Sequence, residues 1–359
     1  MDAGPGYQPH DRDERGWWLQ MDEAERQLKT SSLVIHDPAL NAYVRRVFCR
    51  TVTEAACADV RIYVERVPHF NAMMAPNGMM QVWTGLLLRA RNEAQLAAVL
   101  GHEYTHYQKR HSLLLMRNAK ANVGAAMFLA LTGVGAILAI PMIGSVFEYS
   151  RENEREADAG GLSLMAAAGY DPMAAVAIWQ QLRTEQEATA AARKGKPRYG
   201  DRGLFATHPT SLERMQDLSA QASAIPAQGK TTGEADYRKA MSPWWPQFLD
   251  DEIKLNDFGG ADFLIGQLAA AGWTSDLLIA RGDLYRTRGR PEDLDAAAGF
   301  YRQAITATDA PAEAWRGLGL VLLRRGNTAE GRVALASYLE KKPDASDKAM
   351  ITMLMGGQS

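Results

Sequence analysis

Two pairs of side chains, each spaced four residues apart, have to meet at one point if this chain is to do chemistry: His102 with His106, and Glu154 with Asp158. The apolar residues Ala94, Leu96, Ala97, Val99 and Leu100 lead into the first pair at helical spacing. Both imidazoles therefore project from one helix face toward a single metal ion. Glu103 stands beside them, where a carboxylate takes a proton from metal-bound water. An open catalytic site takes three protein ligands and leaves one position for water, and Glu154 on a second helix supplies the third. Asp158, one turn on, is placed to accept the free ring N–H of a ligating histidine and fix its tautomer. Glu152 and Glu156 lie elsewhere around that helix and read as solvated.

The same requirement limits the path of the intervening chain. Ala121 to Phe147 holds 27 residues without a charge, long enough to cross a bilayer once. One crossing would put His106 and Glu154 on opposite sides, and two would need about forty apolar residues. Gly133, Gly135 and Pro141 instead suggest a helical hairpin, either buried in the core or dipping into a membrane or partner without spanning it.

Further on, Thr207-His208-Pro209 precedes Ser211, Glu213 and Arg214. Thr207 or His208 suits a helix cap with Pro209 at the first helical position. Alternatively His208 faces the metal, with Arg214 directed at the same site one to two turns later. Taken in order, these motifs resemble the HtpX and CAAX-prenyl-endoprotease family of zinc metallopeptidases, of the gluzincin type. Asp37-Pro38-Ala39-Leu40-Asn41-Ala42-Tyr43-Val44, Phe70-Asn71-Ala72, Pro76-Asn77-Gly78 and Val82-Trp83-Thr84-Gly85-Leu86-Leu87 match as well, so the resemblance runs from Met21 to Leu218. It implies that His102, His106 and Glu154 bind one Zn2+ per chain, that Asp158 supports a ligand and that Glu103 is the general base. It also implies that His208 lies close enough to take the fourth metal position and that the upstream strand pairs with substrate. Where relatives often carry Gly-Gly before that strand, this chain has Asn77-Gly78, which still suits a tight turn.

The reaction expected of these groups is peptide-bond hydrolysis, with Glu103 taking the proton of the water and delivering it to the leaving amine. Zinc and either His208 or Arg214 would stabilise the oxyanion. Met73 to Trp83 reads as a hairpin-like edge, on which Met79, Met80, Gln81 and Val82 hold an extended peptide by strand addition. If His208 fills the fourth metal position at rest, the enzyme is latent until that segment moves; the long polar stretch from Thr184 to Arg202 motivates the idea. His10, His36, His69 and His111 lack ligand-like spacing and read as uninvolved.

At 359 residues two domains are expected, and 47 % hydrophobic content is ample for packed cores. A net charge of −2 argues against a nucleic-acid partner. Two cysteines, Cys49 and Cys57, exclude a disulfide scaffold and a cysteine-type zinc site; they are either paired or two buried thiols. Met1 to Gly16 is polar, contains no signal core and is expected to be flexible. Either the protein is cytoplasmic or the sequence begins after a removed export signal; relatives favour the periplasm.

After the metallopeptidase domain, expected over 17–222, residues 223–245 read as a linker ending in Pro243-Trp244-Trp245-Pro246, and 246–359 as a helical repeat domain. Gly282, Tyr285 and Gly289 recur 37 positions later as Gly319, Leu322 and Gly326, while Tyr301 and Ala304 map onto Leu335 and Tyr338 at 34. Trp315, Leu318, Gly319, Gly326 and Pro343 fit the tetratricopeptide pattern, and Phe248 to Ala271 reads as a degenerate hairpin capping the stack. Such repeats form a concave surface suited to proteins. The expected fold is thus α+β: a mainly helical zincin domain with a small sheet, followed by an α-solenoid. This combination most resembles the BepA-like branch of the family, which implies a zinc endopeptidase acting on misfolded or unassembled proteins in outer-membrane protein quality control. The alternative is a chaperone or adaptor whose repeats do the work beside a largely latent metal site; a peripheral membrane protease using the 121–147 hairpin is a third reading.

Overall fold

The structure, a computed structural model, describes residues 6–122, 150–197, 199, 212–308 and 310–356. His208, its neighbours Thr207 and Pro209, and all but the first two residues of the 121–147 segment lie outside the described residues. The chain divides into two compact units, 1–186 with 197–243 and 187–196 with 244–359. No described helix is long and apolar enough to cross a membrane.

The first unit opens with α1 (Arg12–Lys29), capped by Asp11, whose carboxylate accepts from the Glu14 amide at 2.8 Å. Of the expected flexible segment 1–16, the described residues from Tyr7 on contact this helix start. Glu14 is buried and accepts from the Tyr7 hydroxyl at 2.8 Å and the His10 amide at 2.7 Å, and a packed Trp17 follows. α2 (Pro38–Thr51) starts at a proline behind an Asp37 cap and buries Leu40, Val44, Val47 and Phe48. A disulfide joins Cys49 on α2 to Cys57 on the short α3 (Glu54–Asp59), with Cα atoms 4.9 Å apart.

Three strands follow: β1 (Arg61–Glu65), β2 (Ala72–Met74) and β3 (Met79–Trp83). Their order is β1-β3-β2, with β3 parallel to β1 and antiparallel to β2. Asn77-Gly78 makes the β2–β3 turn as expected of it; Gly78 sits at φ +86°, a conformation glycine adopts without a Cβ clash. The topology corrects the expected substrate strand. Met79, Met80, Gln81 and Val82 form the central strand, hydrogen-bonded on both sides and fully buried, so no free backbone edge is left on them. Among the described residues β2 has no strand on its far side. Met73 pairs with Gln81 while Asn71 and Ala75 bond to Trp83 and Met79, so the intervening Ala72 and Met74 direct their amides and carbonyls away from the sheet.

Glu65 closes β1 with its carboxyl buried, and among the described residues Oε1 has no hydrogen-bond partner. Burial alone pushes its pKa from the ordinary 4.5 up to about 8. Between those values the unfolded chain has lost a proton that the folded protein keeps, so stability falls as pH rises. Each pH unit in that window costs up to about 1.4 kcal/mol. Glu65→Gln is expected to flatten this decline and raise the melting temperature at pH 8 relative to pH 5.5. An unchanged slope between those pH values would assign the decline to other groups.

After α4 (Thr84–Arg89) comes α5 (Glu93–Gln108), capped by Asn92 and buried from Glu93 to Tyr107. Its first residue, Glu93, accepts from Tyr43 at 3.0 Å and Tyr170 at 3.1 Å and pairs with Arg46 at 2.5 Å, which pins the helix start to α2. α6 (His111–Asn122), α7 (Arg151–Ala167) and α8 (Met173–Ala192) follow. α7 lies directly on α5 because its Gly160-Gly161 pair removes the side chains at the crossing. A Cβ on Gly161 would fall 2.7 Å from the His102 nitrogen, and one on Gly160 2.5 Å from the Thr105 methyl. α9 (Leu212–Ser223) and α10 (Glu234–Met241) complete the unit. The expected linker is partly structured: Tyr237 is buried and donates to the Leu87 carbonyl at 2.7 Å, and the Thr232 carbonyl accepts from Ala94 at 3.0 Å.

The second unit takes the end of α8 and continues through α11 (Trp245–Ile253), α12 (Phe258–Leu268), α13 (Ser275–Arg288), α14 (Pro291–Ile305), α15 (Glu313–Arg324), α16 (Thr328–Lys341) and α17 (Lys348–Gly356). α13 pairs with α14 and α15 with α16 across short loops. Tyr301 fills the space between them, its ring occupying room that a Cβ on Gly282 or Gly317 would need.

Candidate metal centre

α5 presents His102 and His106 to Glu154 on α7, one ligand atom from each converging in the interior. The two Nε2 atoms lie 3.1 Å apart. Glu154 Oε2 is 3.7 Å from His102 Nε2, and Glu154 Oε1 is 3.4 Å from His106 Nε2. Ligand atoms held at about 2.0–2.1 Å from a tetrahedral ion would sit about 3.3 Å from one another, close to all three separations. Glu103, Glu154 and Asp158 are each at most 6 % exposed, and the Arg214 guanidinium reaches both Glu154 and Asp158. Two imidazoles and a carboxylate gathered in the interior are a donor set suited to a divalent cation, so His102, His106 and Glu154 fit a metal.

Asp158 Oδ1 lies 3.1 Å from His102 Nδ1, the ring nitrogen turned away from the cluster. Burial works against ionisation of Asp158, but the Arg214 guanidinium outweighs it and holds the pKa below the ordinary value. Arg214 reaches the site from α9, where it is 5 % exposed. Its Nη2 donates to Asp158 Oδ1 at 2.8 Å, its Nε contacts Asp158 Oδ2, and its Nη1 pairs with Glu154. The guanidinium thus lies between the two α7 carboxylates Glu154 and Asp158. Glu103 is buried on the same turn as His102; burial opposes the charge of Arg214, but Asp158, then Glu154 and Glu103, outweigh it and raise the guanidinium pKa.

One residue set aside on sequence belongs here. His111 is 2 % exposed; its Nδ1 is 2.9 Å from His106 Nδ1, and its Nε2 is 3.1 Å from Glu156 Oε2. Glu156, read as solvated, is half-exposed yet engaged by both His111 and Lys109, the latter at 3.1 Å. Burial lowers the pKa of His111, with Glu156 pulling the other way. An interval of five is not a helical face spacing. The contact arises because Arg110 adopts φ +59° between α5 and α6 and turns the chain back on itself. An arginine gives no sequence signal for that turn.

Residues 38–222 match the profile of peptidase family M48. The chain belongs to peptidase family M48. Similar proteins include a putative beta-barrel assembly-enhancing protease of Vibrio cholerae, 31 % identical over 60 % of this chain and 46 % of that protein. Mitochondrial metalloendopeptidase OMA1 of Schizosaccharomyces pombe is 32 % identical over 49 % of this chain and 51 % of its own. The beta-barrel assembly-enhancing protease of Escherichia coli K12 is 25 % identical over 58 % and 45 %. The chain spans about half the length of the curated relatives it matches. These relatives carry the names of proteases, and the metal-type cluster of His102, His106 and Glu154 falls inside the matched region.

Proposed function

We propose that this M48 chain is a zinc-dependent endopeptidase that hydrolyses peptide bonds in misfolded or unassembled proteins. The observation that carries the reading is the convergence of His102, His106 and Glu154, buried together beside Glu103, within an M48 sequence. Two imidazoles and one carboxylate are a ligand set that suits catalytic zinc. The chemistry supplied by bound zinc is Lewis-acid polarisation of the scissile carbonyl and a lowered pKa for the attacking water. Glu103 takes the proton from that water and returns it to the leaving nitrogen. Asp158 holds the proton of His102 on Nδ1, leaving the Nε2 lone pair for the ion. Arg214 fixes both α7 carboxylates through a planar fork. An extended substrate segment pairs with β2, which among the described residues has no strand on its far side, a mode that reads backbone and tolerates many sequences.

The helix pairs α13/α14 and α15/α16 act as tetratricopeptide-like repeats that bind substrate or a partner. The recurrence of Gly282 and Gly319 at close helix contacts supports this. Relatives named for beta-barrel assembly support a role in outer-membrane protein quality control, and the Cys49–Cys57 disulfide suits an oxidising compartment such as the periplasm.

The test is degradation of an unfolded protein, reduced and carboxymethylated lactalbumin, before and after stripping metal with 1,10-phenanthroline. Activity is expected to vanish with the metal and to return on adding one equivalent of zinc. Undiminished cleavage by protein shown to be metal-free would overturn the proposal.

A further inference from the structure

We propose that His111 and Glu156 form a hydrogen-bonded relay that orients His106 as a metal ligand. The inference rests on the metal reading above and deepens it, since it adds two positioning residues to the site. A carboxylate only accepts hydrogen bonds, so Glu156 Oε2 at 3.1 Å takes the Nε2–H of His111. In the neutral ring that leaves the Nδ1 of His111 as a lone pair. This lone pair faces His106 Nδ1 at 2.9 Å, so the proton between the two nitrogens belongs to His106. With Nδ1 protonated, His106 offers the lone pair of Nε2, the atom that faces His102 and Glu154. The chain of contacts thus selects the tautomer of His106, as Asp158 does for His102.

Three features mark the arrangement as built rather than incidental. His111 is 2 % exposed, and both its ring nitrogens are engaged. Arg110 holds φ +59° to bring it there, a left-handed conformation that a non-glycine residue rarely adopts. Glu156, two positions after Glu154 on α7, is itself held by Lys109 on the neighbouring turn. The relay ties the end of α5 to α7 at the ligands and leaves no rotational freedom to the His106 ring.

The experiment measures zinc affinity of the full chain by competition with a fluorescent zinc chelator, with circular dichroism and thermal unfolding of the metal-free proteins alongside. His111→Ala is expected to bind zinc about 10–100-fold more weakly while its metal-free fold is retained. His111→Gln should recover part of the loss, because its carboxamide oxygen accepts from His106 Nδ1–H. Glu156→Ala should show a smaller loss, and the double variant His111→Ala/Glu156→Ala should be no weaker than His111→Ala alone. Zinc binding by His111→Ala within about twofold of wild type, or losses that add in the double variant, would overturn the relay. Should His111→Ala fail to fold, Glu156→Ala carries the test at its half-exposed position, where the acceptor for the His111 Nε2–H is removed, and unchanged affinity there overturns the relay. Absence of zinc binding by the wild type would instead overturn the metal reading beneath it.

Discussion

Glu103→Gln is expected to slow cleavage of carboxymethylated lactalbumin by about 10²–10⁴-fold while the protein still binds one zinc ion. The substitution exchanges a carboxylate for a carboxamide of nearly equal shape at a position 2 % exposed, so packing around α5 is preserved. A carboxamide neither accepts a proton from water nor delivers one to a leaving amine at neutral pH, so the catalytic step is lost and the ligand set is not. Zinc content determined on the purified variant separates the two effects. Loss of both activity and metal would make Glu103 structural. Retention of wild-type cleavage would remove it as the base. If Glu103→Gln kept full function in cells, the chaperone or adaptor reading would gain over proteolysis.

Arg214→Ala is expected to destabilise the metal-free protein by about 3–5 kcal/mol, read from urea unfolding in the presence of a chelator. The guanidinium is the buried counter-charge to Glu154 and Asp158 and touches both. Removing it strands two carboxylates in the interior and opens a void the size of its side chain. Zinc should recover part of the loss, since the ion restores positive charge beside Glu154. Arg214→Lys should fall between the two, because an ammonium cannot form the planar fork that contacts both carboxylates. A stability change under about 1 kcal/mol would show that the pairing is worth no more than an exposed ion pair.

Much of the site was legible because its chemistry is written at helical intervals. His102 with His106, and Glu154 with Asp158, each repeat at four residues, and a helix turns that spacing into a shared face whatever surrounds it. The Asn77-Gly78 turn was legible for a similar reason: the left-handed conformation at Gly78 is local and glycine announces it. The order of the strands was not. β2 and β3 are both short, apolar and flanked by the same hairpin, and nothing along the chain says which of them carries the outer edge. That choice is made when β1 pairs with β3, at a sequence separation no local pattern records.

His111 and Glu156 escaped the sequence reading for a related reason. The first stands five residues beyond His106 across a helix break, and the second lies on a partly exposed part of α7. Only the turn at Arg110 and the close approach of α7 to α5 at Gly160-Gly161 bring the two together. By itself the sequence determined the kind of chemistry, since ligand type and helical spacing are properties of neighbouring residues. The tertiary structure decided which strand lies outermost among the described residues, that Arg214 reaches Glu154 and Asp158, and that His111 and Glu156 come to lie beside His106. Those depend on contacts between segments distant in the chain, where packing and charge neutrality, rather than local propensity, select the partners.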